Sequence, residues 1–322
     1  MEPLQIATAQ FEHHNGDKQR NRETLQLLAK QAKQQGAQVV AFHECCLSGY
    51  AFARHLSFAA LQQVAEPVPD GESTQWLVQL ARELDITLLA GLFERDDFGK
   101  VYNTYVGVDG SGLIARHRKL HPFIHPQLTP GDAYTTFEVH GWTCGLLICY
   151  DNNILENVRA THLLGADVLF MPHVTMGTPS TRPGAGFFTA NWNDRKADPT
   201  SLRHEFDGLK GRAWLMKWLP ARAYDNALYA VFTNAIGMDD DQLKNGCSMI
   251  LDPFGDVIAE CRHLGDEVVT TTCIPEKLTQ AGGYRYQQAR RPELYHDILT
   301  KPHSPEQKVA WLSSDSERRE NK

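Results

Sequence analysis

Short apolar runs recur along this chain, and three of them are followed by a polar segment that carries a reactive side chain. The run QVVAF precedes Glu44, the run SGLIA leads to Lys119, and the run CGLLI ends at Cys149. Apolar runs of this length, bounded by polar or turn residues, are typical of buried strands. We therefore expect a carboxylate, an ammonium group and a thiol at the ends of three different strands of an α/β protein.

These three groups are the parts from which a nucleophilic active site is built. A thiolate attacks a carbon atom, a carboxylate takes the thiol proton, and an ammonium group holds negative charge on the heteroatom of the attacked carbon. Each residue alone has a structural alternative, namely an inert core thiol, a surface carboxylate and a solvated hairpin lysine. The three are far apart in the sequence, so only the fold can bring them together.

The pattern between these segments predicts alternating helices and strands. Amphipathic helices are expected at about 17–35 and 74–84, and another helix at about 209–226. The segment VYNTYVGV, the turn DGSG and the segment LIARHRK predict a β-hairpin with Lys119 at its exit. Cys149 is expected at a strand-to-helix turn, where backbone N–H groups can bind an oxyanion.

The segments around the three residues also resemble known motifs. FHECCLSGY, RHRKLHPF and GLLICYDNNILE are similar to the Glu-Lys-Cys motifs of the nitrilase superfamily of carbon–nitrogen hydrolases. LQIATAQF, GADVLFMP, ARAYDNALYAVFTN, GCSMILDPFGDVIAE and RRPELY follow in the family's order, so the resemblance extends to about residue 295. It implies a four-layer αββα sandwich and a dimer that forms through helices near the active site.

The resemblance implies a role for each member of the triad. Glu44 would be the general base, Cys149 the nucleophile, and Lys119 the group that stabilises both the thiolate and the oxyanion. Further residues are expected to contact the oxyanion or the substrate because they lie close to the triad motifs or match family positions. They are Tyr150, Gln127, His125, Asn152, Asn153, His173 and Thr175.

The chain shows no internal repeat and no linker, so we expect one carbon–nitrogen hydrolase domain over residues 1–300. The segment 176–207 is rich in Gly, Pro, Asn, Asp and Ser, and its aromatic residues favour a lid-like loop over the pocket, with disorder as the alternative. It looks longer than the equivalent family loop. Residues 301–322 form a polar tail, which we expect to be mostly disordered.

Two departures from the family pattern bear on the site. Many members have a second glutamate in the loop after the lysine, whereas HPFIHPQLTPGD has none, and Gln127 or His125 stands roughly in its place. His43 replaces the proline that usually precedes the first glutamate. Elsewhere, Arg222, Asp225 and Asn226 match a family motif of scaffold residues. The acidic run 239–241 is interpreted as a solvated loop.

The residues after the cysteine indicate the kind of substrate. Tyr150-Asp151 resembles the amidase and carbamoyl-hydrolase branches of the family, while true nitrilases tend to have Trp-Glu there. Members that bind a substrate carboxylate often have arginine where this chain has Asn152 and Asn153, which favours a neutral or cationic amide. We therefore expect a linear carboxamide to be hydrolysed to acid and ammonia. The alternatives are an N-carbamoyl amine hydrolase, a nitrilase and a catalytically inactive scaffold protein.

The composition indicates which kinds of partner and which cellular compartment to expect. The net charge of −7 argues against a nucleic-acid partner, and no apolar run is long enough to cross a membrane. The start of the sequence lacks a secretory signal, and seven cysteines mostly within apolar runs fit reduced thiols, so we expect a cytoplasmic enzyme. No cofactor is expected. A metal site is not expected either, because prolines follow both His121 and His125, whose spacing would otherwise suit a helical metal pair.

Overall fold

The structure is a computed structural model that describes residues 1–175 and 190–302. Two six-stranded sheets form its centre. The first contains β1 (Leu4–Gln10), β2 (Val39–Ala41), β3 (Thr87–Arg95), β4 (Val101–Asp109), β5 (Gly112–Arg118) and β14 (Glu267–Cys273), in the order β14-β1-β2-β3-β4-β5. The second contains β6 (Thr135–Val139), β7 (Trp142–Leu146), β8 (Val168–His173), β9 (Tyr229–Asn234), β12 (Met249–Leu251) and β13 (Val257–Glu260), in the order β13-β12-β9-β8-β7-β6.

The two sheets share one plan. Strands β1, β2 and β3 run parallel in the first sheet, as do β7, β8 and β9 in the second, and the outer strands of both sheets pair antiparallel. Parallel strands connected through helices are buried on both faces. Their carboxyl ends therefore form a protected edge at which loop residues meet.

The sheets pack face to face through a completely buried core. Ile6 and Leu89 of the first sheet belong to the same cluster as Trp142, Phe170 and Tyr229 of the second. The outer face of the first sheet is covered by α1 (Lys18–Gln34) and α3 (Glu72–Leu84), and that of the second by α4 (Leu155–Leu163), α7 (Arg212–Leu215) and α8 (Leu219–Tyr224). This confirms the predicted αββα sandwich.

Helix α1 shows how the sequence forms these layers. The Asp17 carboxylate accepts a hydrogen bond from the N–H of Arg20 and caps the first turn. Leu25 and Leu28 lie on the face that packs on the sheet, and the chain leaves the helix through Gly36, whose φ is 87°. Only glycine adopts such a φ without strain, so the helix ends close to the predicted position.

The remaining elements lie around the sandwich. They are α2 (Phe58–Val64), α5 (Ala190–Asn193), α6 (Pro199–Asp207), α9 (Glu276–Gln280), α10 (Gly282–Gln288), α11 (His296–Leu299) and the hairpin of β10 (Ile236–Asp239) and β11 (Gln242–Asn245). The polar segment EVVTTTC was not predicted to be a strand, yet as β14 it pairs with the whole of β1. This pairing completes the first sheet.

The segment 176–207, predicted to be a lid-like loop, is helical in its last part. The segment 199–207 is helical, because Asp198 caps its first turn, while Leu202 and Phe206 pack on Ile236 and Leu243 of the hairpin. Residues 176–189, the first part of the predicted lid, lie outside the described residues, as do residues 303–322 of the tail.

The predicted helix at about 209–226 is instead two short helices, α7 and α8. Pro220 lies in the first turn of α8, where a backbone N–H would have no acceptor within the helix, so its absence costs no hydrogen bond. A helix continuing from α7 could not pass through this residue.

Candidate active site

Glu44 lies in a tight turn just beyond strand β2. The N–H of Phe42 still bonds to the carbonyl of Leu89 on β3, after which the chain turns and Cys45 adopts a φ of 47°. Gly91 permits this turn, because a Cβ atom there would lie only 2.3 Å from the N atom of Cys45. The carboxylate is held inside the protein, with no exposed surface.

Lys119 follows strand β5 and points at the same carboxylate. Its Nζ atom lies 2.6 Å from Glu44 Oε1, and its ammonium group sits over the ring of Phe123, 4.7 Å from the centroid. Burial by itself would lower the pKa of Lys119, but the negative charges of Glu44 and Asp151 outweigh it and raise the pKa. The lysine is therefore a charged ammonium group at neutral pH.

Cys149 begins a 3-10 helix that spans Cys149–Asn153, between β7 and α4. It adopts a φ of 49°, which is unusual for a residue with a side chain and turns the thiol out of the line of the strand. Burial, followed by the charge of Glu44, raises the pKa of the thiol to about 12, although Lys119 and the N–H of Val174 favour the thiolate. Cys149 is thus a neutral thiol that is electrostatically coupled to Glu44.

Asp151 connects the turn Cys149–Asn153, called here the nucleophile turn, to residues 119–121, called the lysine segment. Its carboxylate accepts hydrogen bonds from the N–H groups of Ile148, Leu120 and His121. Burial would raise the pKa of this carboxyl group, but contacts with His117 and His121 lower it well below its usual range. Asp151 is therefore ionised and fully buried, and its hydrogen bonds fix the position of the lysine segment relative to the turn that carries Cys149.

Sequence reasoning missed Asn103, which lies on β4 inside the segment VYNTYVGV. Its side-chain Nδ2 atom donates a hydrogen bond of 2.6 Å to Glu44 Oε1. Its backbone carbonyl oxygen accepts a hydrogen bond of 2.8 Å from the backbone N–H of Lys119. An asparagine within the mostly apolar and aromatic segment VYNTYVGV was the available signal. Such a polar side chain must find a partner when it is buried.

The residues expected in place of the second glutamate do not bond to the Lys119 ammonium. His125 is buried, with Nε2 3.2 Å from the carbonyl oxygen of Leu56, and its Nδ1 accepts the N–H of Gln127. Gln127 itself is exposed. The ammonium group is instead flanked by the rings of Phe123 and Tyr50. A role for His125 and Gln127 in substrate binding stays a prediction.

The other predicted contact residues surround the nucleophile turn. Asn152 is fully buried and donates to the carbonyl of Leu147, with its amide nitrogen 3.3 Å from His173 Nε2. Burial, reinforced by the charge of Lys119, lowers the pKa of His173 to about 3, so this imidazole is neutral. The N–H of Thr175 donates to Asn234. These contacts give Asn152 and His173 a supporting position behind the turn.

The two remaining predicted residues, Tyr150 and Asn153, lie in the same turn. Tyr150 is half-buried, and its ring meets those of His121 and Phe123 edge-on. The carbonyl groups of Asn152 and Asn153 accept hydrogen bonds from the guanidinium group of Arg222. Arg222 therefore anchors the segment after the nucleophile, which agrees with its interpretation as a scaffold residue.

The interpretation of residues 239–241 as a solvated loop is wrong for Asp239. This carboxylate is completely buried, 2.9 Å from His13 Nε2 and 3.8 Å from Lys244 Nζ, and it accepts the N–H of Ala51. His13 in turn contacts His43, with 3.0 Å between Nδ1 and Nε2. Strand β10 places Asp239 against the segment that follows Glu44, which an acidic run in sequence does not reveal.

Comparison with known proteins shows the family of this chain. Residues 5–282 match the carbon–nitrogen hydrolase family. The chain is 34% identical over 233 residues to an (R)-stereoselective amidase of a Pseudomonas species, covering 71% of this chain and 70% of that protein. It is 33% identical over 248 residues to an omega-amidase of Xenopus tropicalis, covering 72% and 75% of the two chains.

Solved structures show the same fold. An amidase from Nesterenkonia sp. AN1 superposes with a TM-score of 0.68 at 22% identity, covering 92% of this chain and 97% of the other. Yeast Nit3, a nitrilase-superfamily protein, superposes with a TM-score of 0.67 at 24% identity, covering 93% and 96%. The fold and the site define a nitrilase-like αββα hydrolase. The chain belongs to the carbon–nitrogen hydrolase family and is a hydrolase of carbon–nitrogen bonds other than peptide bonds.

Proposed function

We propose that the protein is a cysteine amidohydrolase that hydrolyses a linear carboxamide to a carboxylic acid and ammonia. One observation carries the proposal. A buried carboxylate, Glu44, bonds to the Lys119 ammonium group at 2.6 Å and is electrostatically coupled to the Cys149 thiol. A base, a cation and a nucleophile at one point are what acyl transfer from an amide requires.

The first half-reaction forms a thioester. The proton of Cys149 Sγ passes to the Glu44 carboxylate while Sγ bonds to the carbonyl carbon, and the carbonyl oxygen becomes an oxyanion that Lys119 stabilises. Because the thiol is protonated at rest, proton transfer accompanies the attack. The oxyanion then collapses, the carbon–nitrogen bond breaks, and the nitrogen leaves as ammonia with the proton from Glu44.

The second half-reaction reuses the same groups. Glu44, again ionised, takes a proton from a water molecule whose oxygen attacks the thioester carbon. Lys119 stabilises the second oxyanion. The carbon–sulfur bond then breaks, the acid is released, and Cys149 Sγ recovers its proton. Every group returns to its starting state, and the proposed cycle uses only side chains of this protein and water.

Relatives support an amide as the substrate. Two of the similar proteins are an amidase and an omega-amidase, and variants of the Nesterenkonia amidase form complexes with acrylamide and butyramide. A nitrilase of Pyrococcus abyssi is 26% identical over 268 residues, which keeps nitriles among the compounds to be tested. The preference for a neutral or cationic amide stays a prediction, because Asn152 faces Leu147 and His173 inside the protein.

The test is ammonia release by the purified protein. The panel contains aliphatic amides with neutral, cationic and anionic acyl groups, N-carbamoyl amines and nitriles, and Cys149→Ala serves as the control. We expect release from an amide that the Cys149→Ala variant abolishes. Release from nitriles or carbamoyl amines alone would contradict the amidase assignment, and a folded protein that is silent on the whole panel would favour a binding protein.

We also propose a homodimer that forms through the surface around α4 and the C-terminal helices. Leu294, Ile298 and Leu299 are 60%, 62% and 56% exposed, which is unusual for neighbouring large apolar residues. Arg159 of α4 couples electrostatically with Tyr295, which lies beside these apolar residues, so the two regions are adjacent. Sedimentation should show a dimer that Ile298→Glu weakens, whereas a wild-type monomer would contradict the proposal.

The compartment is part of the same proposal. The seven cysteines are all buried and free, which fits a reducing compartment such as the cytoplasm. Within residues 1–175 and 190–302, no helix has the length and apolar character of a membrane span. Fractionation of the source cells, followed by immunodetection, tests the cytoplasmic assignment, and recovery with the membrane or secreted fraction would contradict it.

A further inference from the structure

We propose that Asn103 is a positioning residue that reserves one oxygen of Glu44, Oε2, for the proton of the Cys149 thiol. The inference rests on the proposed function, because it concerns the general base of that reaction. Asn103 does not contact the nucleophile in this arrangement. It acts through Glu44 and makes the two carboxylate oxygens unequal.

The inequality is visible in the hydrogen bonds of the carboxylate. Oε1 accepts two short bonds, one from Asn103 Nδ2 and one from Lys119 Nζ, each of 2.6 Å. Oε2 is buried and has no hydrogen-bond partner in the part of the chain that is described, so it is the oxygen left free for a proton. Donors stabilise negative charge on the oxygen they contact and weaken it as a base. The proton is therefore taken up at Oε2, while Oε1 keeps its two partners throughout the cycle.

The orientation of the Asn103 amide is fixed by its other contacts. Its Oδ1 atom accepts a hydrogen bond from Cys45 Sγ at 3.4 Å, which leaves the NH2 group to face Glu44. Burial, followed by the charge of Glu44, raises the pKa of Cys45, so this thiol stays protonated and can donate. The backbone carbonyl oxygen of Asn103 also accepts a hydrogen bond from the backbone N–H of Lys119. One residue thus positions both the base and the cation.

Other titratable groups near Glu44 cannot take over this role. The groups that couple electrostatically with it are Lys119, Cys149, Cys45, Tyr50 and Lys244. Each is an ionisable group, and Lys119 and Cys149 take part in the chemistry itself. A carboxamide stays neutral across the working pH range. Asn103 therefore keeps Oε1 occupied without adding a titration of its own.

The experiment replaces Asn103 and follows two pH profiles. In Asn103→Ser the shorter side chain no longer reaches Glu44, and the ionised carboxylate loses a hydrogen bond that favours it over its protonated form. We expect the acidic limb of the kcat/KM profile to move to higher pH by about one unit and the maximum to fall about tenfold. Asn103→Asp places a second carboxylate beside Oε1, and the pair binds a proton at neutral pH, so kcat/KM should fall about 100-fold.

The matched control is the next residue of the same strand. Thr104 donates a hydrogen bond of 2.7 Å to Glu94, a buried glutamate outside the site. Thr104→Val therefore removes a comparable hydrogen bond and should leave the acidic limb in place. Equal shifts in Thr104→Val and Asn103→Ser would show a general structural effect and overturn the proposal.

The second readout is the rate at which iodoacetamide modifies Cys149, measured against pH by mass spectrometry of the modified peptide. It needs no substrate, so it tests Asn103 even if the protein hydrolyses none of the amides tested. The profile should shift in the same direction as that of kcat/KM. A folded Asn103→Ser or Asn103→Asp protein with the wild-type profile in both readouts would overturn the proposal, and either variant suffices if the other does not fold.

Discussion

The Lys119 ammonium group and the Glu44 carboxylate form an ion pair of 2.6 Å in which neither side chain is exposed to solvent. The pair joins the end of β5 to the turn after β2, so it connects two segments that the sequence keeps far apart. It also explains how a cation can be kept in a buried site. The attraction of neighbouring negative charges exceeds the effect of burial on the pKa of Lys119.

Lys119→Met tests the energetics of this pair. The substitution keeps the apolar stem but leaves the Glu44 carboxylate buried without its cation. We expect the free energy of unfolding to fall by about 3–5 kcal/mol in urea denaturation, and ammonia release to disappear. The double variant Lys119→Met, Glu44→Gln should recover most of the stability and none of the activity. A single variant as stable as the wild type would show that the pair is not structural.

The protonation of Cys149 can be measured directly. Because burial and Glu44 raise its pKa to about 12, the resting enzyme should contain no thiolate at neutral pH. The ultraviolet absorbance of the wild type minus that of Cys149→Ala, recorded against pH, should show no thiolate step below about pH 10. A step near neutral pH would instead indicate a thiolate formed before the substrate binds.

Asp151→Asn tests the link between the lysine segment and the nucleophile turn. Contacts with His117 and His121 keep the pKa of Asp151 below its unfolded value of about 3.9 despite its burial. Its stabilising effect is therefore complete above that pH and is lost as the pH falls through the lowered pKa.

We expect Asp151→Asn to reduce the free energy of unfolding at pH 7 by about 2–4 kcal/mol and kcat/KM at least tenfold. The loss of stability should be smaller below about pH 4, where the wild-type carboxylate also loses its advantage. Chemical denaturation at several pH values provides the measurement. A loss of stability that does not vary with pH would contradict the ionised state of Asp151.

Tyr50→Phe separates stability from catalysis. The Tyr50 hydroxyl group is buried next to the site, couples with Glu44 and Cys149, and finds no partner in residues 1–175 and 190–302. Removing an unsatisfied buried hydroxyl should leave thermal stability unchanged or raise it slightly, by up to about 1 kcal/mol. We expect kcat/KM to fall about tenfold, because a polar group beside the thiol is lost. Lower stability with full activity would assign the hydroxyl a purely structural role.

Much of this protein could be predicted from local patterns. Apolar runs and turn residues indicated most strands, and the motif residues Glu44, Lys119 and Cys149 were singled out before any contact was known. Strand β14 was not predicted, because its two valines are followed by three consecutive threonines and its stability comes from pairing with β1. Helix α6 was not predicted either, because its two buried residues pack on the hairpin of β10 and β11, which forms only in the folded protein.

Sequence by itself determined the family, the layered αββα fold and the three reactive residues, because these depend on periodicity and on motifs that are continuous in the chain. Tertiary structure decided which groups surround them. Asn103 meets Glu44, Asp151 turns inward to hold Leu120 and His121, and Asp239 is buried against His13. These contacts join residues on different strands and loops. Their energies depend on distance and burial, which no local segment of the sequence specifies.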